Sequence, residues 1–166
     1  MNRFRRLFRH LTATRLTGRR AFPAEALAAI QQAIAQGERL HRAEVRIIIE
    51  PSLDILDVFQ GDTARMRARE LFSEYGIWDT EENTGVLVYV NLADHKVEII
   101  ADRAAGRALQ PQDWQAVCRT MTDAFKQGAY RDGAVAGLTQ LNELLHRHFP
   151  DDGSTDNQLP NRPVML

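Results

Sequence analysis

Four oxygen-bearing side chains, Asp79, Glu81, Glu82 and Asn83, stand directly before the most strand-like run of the chain, "GVLVYVNL". Carboxylate and amide oxygens are the ligands that calcium and magnesium ions take in proteins, and such a cation needs several of them at once. Asp and Asn are also common in turns, where their side chains bond to the nearby backbone. The stretch therefore predicts either a cation site or a polar turn that leads into a buried strand, and the residues alone leave both open.

A further acidic side chain, Asp102, ends the next strand-like run. The runs "GVLVYVNL" and "KVEIIAD" are separated by "ADH", which is the spacing of a β-hairpin. Because antiparallel neighbours run in opposite directions, the start of the first strand lies beside the end of the second. We therefore expect Asp102 to meet the stretch from Asp79 to Asn83 at one edge of a sheet. The edge is not an EF-hand, since the ligand spacing, central Gly and terminal Glu of that loop are missing.

The other reactive residues form no established phosphatase or zinc motif. No arginine follows Cys118 at the spacing of a phosphate-binding cysteine loop, and the aspartates of "DILDV" have two residues between them where a carboxylate nucleophile motif has one. Cys118 has the apolar Val117 and Met121 near it in a helical pattern, which favours a buried small side chain over a nucleophile. His146 and His148 do not share a helix face, so a zinc site is not expected.

Length and composition indicate one folded domain. The chain has 166 residues, of which 44% are hydrophobic and 26% charged, and a formal net charge of -1. No global field therefore attracts nucleic acid or a membrane. The single cysteine excludes an internal disulfide, and no stretch has the pattern of a secretory signal or the length of a membrane span, so a cytoplasmic location is expected.

The first 20 residues form a basic arm that carries seven arginines, and no acidic residue precedes Glu25. Four apolar residues recur in the arm at the spacing of one helix face: Phe4, Leu7, Phe8 and Leu11. The pattern predicts a helix that either binds anionic lipid at a membrane surface or packs its Phe/Leu stripe on the domain or on a partner. A nucleic-acid partner is not expected, because no recognition motif follows the arm.

Residues 21–150 predict the order helix, strand, helix, strand, strand, helix, helix, and residues 151–166 predict an irregular tail. Both alternating sides of "GVLVYVNL" are apolar, so this strand should be central and covered on both faces. Asp62 or Thr63 can cap the helix before it, which should connect two parallel strands. The sequence thus predicts an α/β protein, a three-layer α/β/α sandwich with a small mixed β-sheet.

Several segments resemble the TPM domain family, also called the TPM phosphatase family. They are "WDTEENTGVLVYV", "HKVEIIAD", Trp114 and "FKQGAYRDGAVAGLTQL". The resemblance is greatest to the subgroup that lacks a signal peptide and a membrane anchor, in which "HRAEVRIIIE" and "FPDDGSTDNQLPNRPV" recur in similar form. It extends from about residue 20 to the end of the chain.

The resemblance implies an α/β/α sandwich, binding of a divalent cation such as Ca²⁺ or Mg²⁺ at acidic loops, and acid phosphatase activity in some relatives. No organic cofactor is expected. Asp79, Glu82 and Asn83 match the acidic lead-in of the family, and Asp102 matches the polar position that ends the hairpin. Relatives with a signal follow the hairpin with a glycine-rich turn, where this chain has "DRAAGRAL".

Two functions follow as hypotheses. In the first, the protein is a non-catalytic, divalent-cation-responsive binding module of the TPM type that docks on a protein or membrane-associated partner. The alternative is a weak metal-dependent acid phosphatase (a phosphomonoesterase), in which Asp102 or Asp79 holds a metal-activated water and Arg103 or Arg107 holds the phosphate. The missing nucleophile and glycine-rich phosphate loop favour the first, because catalysis requires positioned groups.

Overall fold

A computed structural model describes residues 3–61, 63–153 and 156–166. Within them the helices are α1 (Arg3–Thr12), α2 (Arg15–Ala21), α3 (Ala24–Gly37), α4 (Ile55–Gln60), α5 (Ala64–Glu74), α6 (Arg103–Ala108), α7 (Pro111–Lys126) and α8 (Tyr130–His148). The strands are β1 (Val45–Glu50), β2 (Val86–Asn91), β3 (Lys96–Ala101) and β4 (Val164–Met165).

The four strands form one mixed sheet in the order β3-β2-β1-β4. β1 runs parallel to β2, with Val45 opposite Val86, and β2 runs antiparallel to β3, with Val86 opposite Ala101. The predicted hairpin and the predicted parallel pair are therefore both present. The end of the tail differs from the prediction, because Val164–Met165 adds the short strand β4 beside β1. Two strand residues are too few to show a periodic pattern in the sequence.

Helices cover both faces of the central strand β2, as its two apolar sides predicted. Val86, Val88 and Val90 belong to the core that includes buried residues of α3, α7 and α8. Leu87 and Tyr89 belong to a second core on the opposite face, with buried residues of α5. The protein is thus the predicted α/β/α sandwich.

A side-chain cap marks the start of α5, the longer of the two helices between β1 and β2. Thr63 caps α5, since its Oγ1 accepts a hydrogen bond from the backbone N–H of Met66 at 3.2 Å. Asp62, the other predicted cap, lies outside the described residues. The chain then turns at Gly76, whose φ of +62° is a left-handed conformation that glycine adopts without a steric penalty.

Helix α1 forms as predicted, but it presents the opposite face to the domain. Of the predicted stripe, Phe4, Phe8 and Leu11 are exposed and Leu7 is half-buried, whereas His10 is buried. The alternative in which the stripe packs on the domain is wrong for Phe4, Phe8 and Leu11, because the buried carboxylate of Asp94 lies against α1 and requires cationic or hydrogen-bonding partners. Such partners lie on the Arg/His face of the helix.

Candidate functional site

We call residues 79–83, which precede β2, the lead-in. Backbone hydrogen bonds join the lead-in to the end of β3. The N–H of Asp102 donates to the carbonyl of Gly85 at 2.8 Å, and the N–H of Ala104 donates to the carbonyl of Asn83 at 3.0 Å. Asn83 and Asp102 therefore meet at the sheet edge where β2 begins, as the antiparallel hairpin required. We call this place the β2 edge: Asn83, Asp102 and Arg103.

Asp102 has two differently placed carboxylate oxygens. Oδ1 accepts a hydrogen bond from the backbone N–H of Arg103 at 2.7 Å, which makes Asp102 the cap of α6. Oδ2 is buried and has no hydrogen-bond partner among the described protein atoms, and the residue as a whole is only 9% exposed. A buried carboxylate oxygen normally has a partner, and among the buried side-chain atoms of the β2 edge only Oδ2 of Asp102 has none with the described residues.

The Arg103 side chain bridges the two polar residues of the β2 edge. Its Nη2 donates to Oδ1 of Asn83 at 3.0 Å, and its Nε lies 3.9 Å from Oδ1 of Asp102. The side chain is 76% exposed, so its charge interacts through water and the pair is weak. Asn83 has a φ of +56°, a left-handed conformation that Asn tolerates better than most residues. A guanidinium cation thus occupies the place between these oxygens.

Glu82 points to a different partner. Its Oε2 lies 3.5 Å from Nε of Arg42, and Nη1 of Arg42 donates to Oδ2 of Asp152 at 2.6 Å. Arg42 therefore links the lead-in to the tail, and Glu82 is not gathered with Asp102. Asp79 is exposed. Within residues 3–61, 63–153 and 156–166, no three His, Cys, Asp or Glu side chains are grouped so that they could hold a metal ion.

The lead-in is also an ordered turn. The N–H of Thr84 donates to Oγ1 of Thr80 at 3.0 Å, and the N–H of Glu81 donates to Oε1 of Gln158 at 2.9 Å. At Gly85 an added Cβ would lie 1.8 Å from the carbonyl oxygen of Ile77, so only glycine fits there. The turn interpretation therefore holds for the backbone, whereas the Oδ2 atom of Asp102 takes no part in the turn.

The carboxyl ends of the central strands β1 and β2 carry a buried polar cluster that was not predicted from the sequence. Glu50 ends β1 and is buried; the hydroxyl of Tyr89 donates to its Oε2 at 2.5 Å, and Nε of Arg67 donates to its Oε1 at 3.2 Å. Burial raises the pKa of the Glu50 carboxyl, and the Tyr89 hydrogen bond and the Arg67 charge offset this only in part. The signal was a Glu that ends one apolar strand and a Tyr within the other.

At the same end of the sheet, Asp94 in the turn after β2 anchors α1. Nε2 of His10 lies 3.2 Å from Oδ1 of Asp94, and Nε of Arg6 donates to that oxygen at 3.0 Å. Nδ1 of His10 accepts a hydrogen bond from the N–H of Leu53 at 3.0 Å. Burial raises the pKa of Asp94, but the contacts with His10 and Arg6 outweigh burial and hold the pKa well below its usual range. The side chains of Asp94, His10 and Arg6 thus attach α1 to the domain.

Cys118 is not suited to nucleophilic attack. It lies half-buried on α7 beside a surface cavity of about 710 Å³ that Arg65, Trp114 and Arg119 also line. Burial, followed by the charge of Glu98, raises the pKa of its thiol to about 11. Because the thiolate is the reactive form, Cys118 is essentially unreactive at neutral pH.

Comparisons with known proteins agree with the fold. The TPM domain model matches residues 19–144. The NMR structure of the BA42 protein from the psychrophilic bacterium Bizionia argentinensis is similar to this chain, with 25% identity and a TM-score of 0.78 over 87% of this chain and 95% of that one. No curated protein sequence matches. In the part of the chain that the structure describes, no helix is both long and apolar enough to span a bilayer. The chain belongs to the TPM domain family.

Proposed function

We propose that the protein is a non-catalytic binding module of the TPM type whose state responds to a divalent cation, Ca²⁺ or Mg²⁺, at the β2 edge. The observation that carries the proposal is the Oδ2 atom of Asp102, a buried carboxylate oxygen with no hydrogen-bond partner among the described atoms. Carboxylate and amide oxygens suit these hard cations, and Oδ1 of Asn83 lies beside the same arginine. A cation would satisfy the oxygen that the fold leaves without a partner.

The Arg103 guanidinium is the natural competitor of such a cation. It bridges Asn83 and Asp102 through one hydrogen bond and one longer contact, and its exposed side chain can leave at little cost. Asp79 and Glu82 complete the proposed ligand set. Glu82 would have to release Arg42, which also contacts Asp152 of the tail. Cation binding would therefore alter how the lead-in and the tail are held together, and this supports a responsive module that presents a surface to a protein or membrane-associated partner.

The alternative function is a weak metal-dependent acid phosphatase. Arg103 and Arg107 are both exposed on α6, next to Asp102, and this is the observation that favours phosphate binding there. Against it, the sequence contains neither the cysteine motif nor the carboxylate nucleophile motif of established phosphatases. We therefore place hydrolysis second to binding.

A thermal melt of the metal-stripped full chain, with and without Ca²⁺ or Mg²⁺, tests the proposal. We expect the cation to raise the melting temperature of the wild type, because a ligand that binds only the folded state stabilises it. Asp102→Asn should remove the rise but not the fold, since Asn is also a good helix cap. The matched control is Asp132→Asn, an exposed carboxylate on α8, which should keep the rise. A rise of equal size in Asp102→Asn would overturn the proposal.

The same proteins distinguish binding from hydrolysis. A generic phosphate ester should be hydrolysed no faster by the wild type than by Asp102→Asn, even where the cation shifts the melt of the wild type. Cation-dependent hydrolysis that disappears in Asp102→Asn and weakens in Arg107→Gln would establish the phosphatase alternative instead. Hydrolysis that is equal in all variants would indicate a contaminating enzyme.

A further inference from the structure

Helix α1 exposes the face that an amphipathic helix normally buries. Phe4 is 81% exposed and Phe8 66% exposed, and Leu11, one turn further, is exposed as well. The buried side of the helix is the polar one, with His10 at 3% exposure. A soluble domain ordinarily turns such an apolar stripe towards its own core. The reversed orientation therefore leaves the aromatic side chains of an ordered helix exposed to water.

The neighbouring helix α4 adds to this exposed area. α1 packs against α4, and Leu56 and Phe59 of α4 are exposed, the latter by 74%. Together the two helices carry what we call the apolar surface: Phe4, Phe8, Leu11, Leu56 and Phe59. Isolated apolar residues on a surface are common, but several large ones on two packed helices are typical of an interaction site.

The fold fixes α1 in this orientation. Asp94, in the turn between β2 and β3, is contacted by Arg6 at 2.9 Å and by His10 at 3.2 Å. The ring of His10 also accepts a hydrogen bond from the backbone N–H of Leu53, two residues before α4 begins. Rotating the apolar stripe inward would bury Phe4 and Phe8 only by removing both partners from a buried carboxylate, which is costly.

Charge around the apolar surface indicates the class of partner. The first 20 residues contain seven arginines and no acidic residue, and Arg5, Arg15, Arg19 and Arg20 are exposed on α1 and α2. At α4 there are two acidic residues, the exposed cap Asp54 and the half-buried Asp57. Exposed aromatic side chains and several exposed arginines on consecutive helices are the combination that helices lying in an anionic membrane interface use.

We propose that the apolar surface, together with the exposed arginines of α1 and α2, binds peripherally to a lipid bilayer that contains anionic lipid. The Phe and Leu side chains enter the boundary between headgroups and acyl chains, and the arginines bind lipid phosphates or carboxylates. Nucleic acid would use the arginines but would leave the aliphatic Leu11 and Leu56 in water. A second copy of this chain would bring the same arginines together, and like charges repel.

Sedimentation of the full chain with vesicles tests this proposal in the presence of EDTA, so that the result does not depend on the cation site. Vesicles of phosphatidylcholine with phosphatidylserine should retain the chain, and vesicles of phosphatidylcholine alone should retain much less. Retention should fall as salt is raised, because screening weakens the arginine contribution. Equal retention by both vesicle types, or none by either, would overturn the proposal.

Matched variants locate the binding surface. Phe8→Ser with Phe59→Ser should weaken vesicle binding by about tenfold or more, because two large apolar side chains no longer leave water. Leu40→Ser, at an exposed apolar residue outside the surface, should have no effect. Arg5→Gln with Arg15→Gln should weaken binding at low salt, whereas the exposed Arg147→Gln should not.

The fold and the oligomeric state must be measured on the same samples. All the substituted residues are exposed, so their circular dichroism and melting temperatures should match the wild type. One contrary outcome in light scattering is a wild-type dimer that becomes a monomer in the double variant Phe8→Ser, Phe59→Ser. That result would assign the apolar surface to a second copy of the chain and refute the membrane assignment. Unchanged vesicle binding by that double variant would refute it as well.

Discussion

Nε2 of His10 lies 3.2 Å from Oδ1 of Asp94, and this contact joins the first helix of the chain to the turn between β2 and β3. The N–H of Asp94 in turn donates to Oδ1 of Asn91, and Nδ2 of Asn91 donates to the hydroxyl of Tyr89. The buried cluster around Glu50 and the anchor of α1 are therefore one connected polar network. It determines which face of α1 meets water.

Asp94→Ala tests the anchor. The variant removes the carboxylate that His10 and Arg6 contact, so we expect it to weaken the attachment of α1 by about 2 to 4 kcal/mol. Limited digestion with trypsin should then cut the arginine-rich arm faster than in the wild type. Asp123→Ala, which removes only an exposed pair with Lys126, is the control and should digest like the wild type. Equal cutting in both variants would contradict the anchoring role.

The anchor also predicts a dependence on pH. Because the pKa of Asp94 is lowered in the folded protein, its stabilising contribution is complete above the ordinary pKa of Asp and is lost as pH falls below about 4. In the Asp94→Ala variant this part of the acid sensitivity should be missing. Tryptic cutting of the arm cannot be followed at such pH, so amide hydrogen exchange of α1 is the appropriate measurement.

Tyr89→Phe tests the buried cluster at the end of β1. Removal of the hydroxyl takes a donor from Glu50 and an acceptor from Asn91, and we expect a loss of about 1 to 3 kcal/mol in the free energy of unfolding. The pKa of Glu50, which burial already raises, should rise further. Tyr130→Phe is the control, since the ring of Tyr130 packs against Phe22 and Phe125. Denaturant unfolding curves that are equal for the two variants would show that the Tyr89 hydrogen bond contributes nothing.

Glu38→Gln should change how stability varies from mildly acidic to mildly basic pH. Burial raises the pKa of Glu38 from 4.5 to about 8, while its Oε1 accepts the N–H of Val45 at 3.0 Å. Between these two pKa values the folded protein holds a proton that the unfolded chain has lost, so stability falls as pH rises. The variant should show a smaller fall in denaturant midpoint, and Glu143→Gln, at an exposed residue, should keep the wild-type slope. Parallel pH profiles for wild type and Glu38→Gln would exclude a protonated Glu38.

Gly85→Ala should disrupt the turn that positions Asn83. A Cβ at residue 85 would lie 1.8 Å from the carbonyl oxygen of Ile77, so the backbone must shift, and we expect a loss of about 3 kcal/mol. Gly106→Ala on α6 is the control, because its nearest contact would be 3.6 Å away and Ala favours a helix. If both variants melted at the wild-type temperature, the close approach of residues 77 and 85 would not be a constraint.

The elements that follow local rules could be predicted from the sequence. The two apolar sides of β2 indicated a central strand, and the spacing around "ADH" indicated the hairpin, so the meeting of Asn83 and Asp102 followed from strand direction. The role of Asp102 as a helix cap was missed, because α6 has six residues and shows too little periodicity to be identified.

Contacts between distant segments could not be predicted in this way. The preference of Arg42 for Glu82 and Asp152 depends on where the tail lies, and β4 is defined by its partner β1 rather than by its own two residues. The reversed face of α1 depends on Asp94, which is 84 residues from His10 by their numbers in the sequence. A single sequence does not show which distant side chains pair, whereas it does show the hydrophobic periodicity of helices and strands.

Titration calorimetry with Ca²⁺ and Mg²⁺ on the metal-stripped wild type, Asp102→Asn and Arg103→Gln tests the central claim most directly. We predict saturable binding of at least one cation to the wild type, loss of that binding in Asp102→Asn, and tighter binding in Arg103→Gln, because the competing guanidinium is gone. No binding to any of the three proteins, or equal affinity of the wild type and Asp102→Asn, would contradict a cation site at the β2 edge.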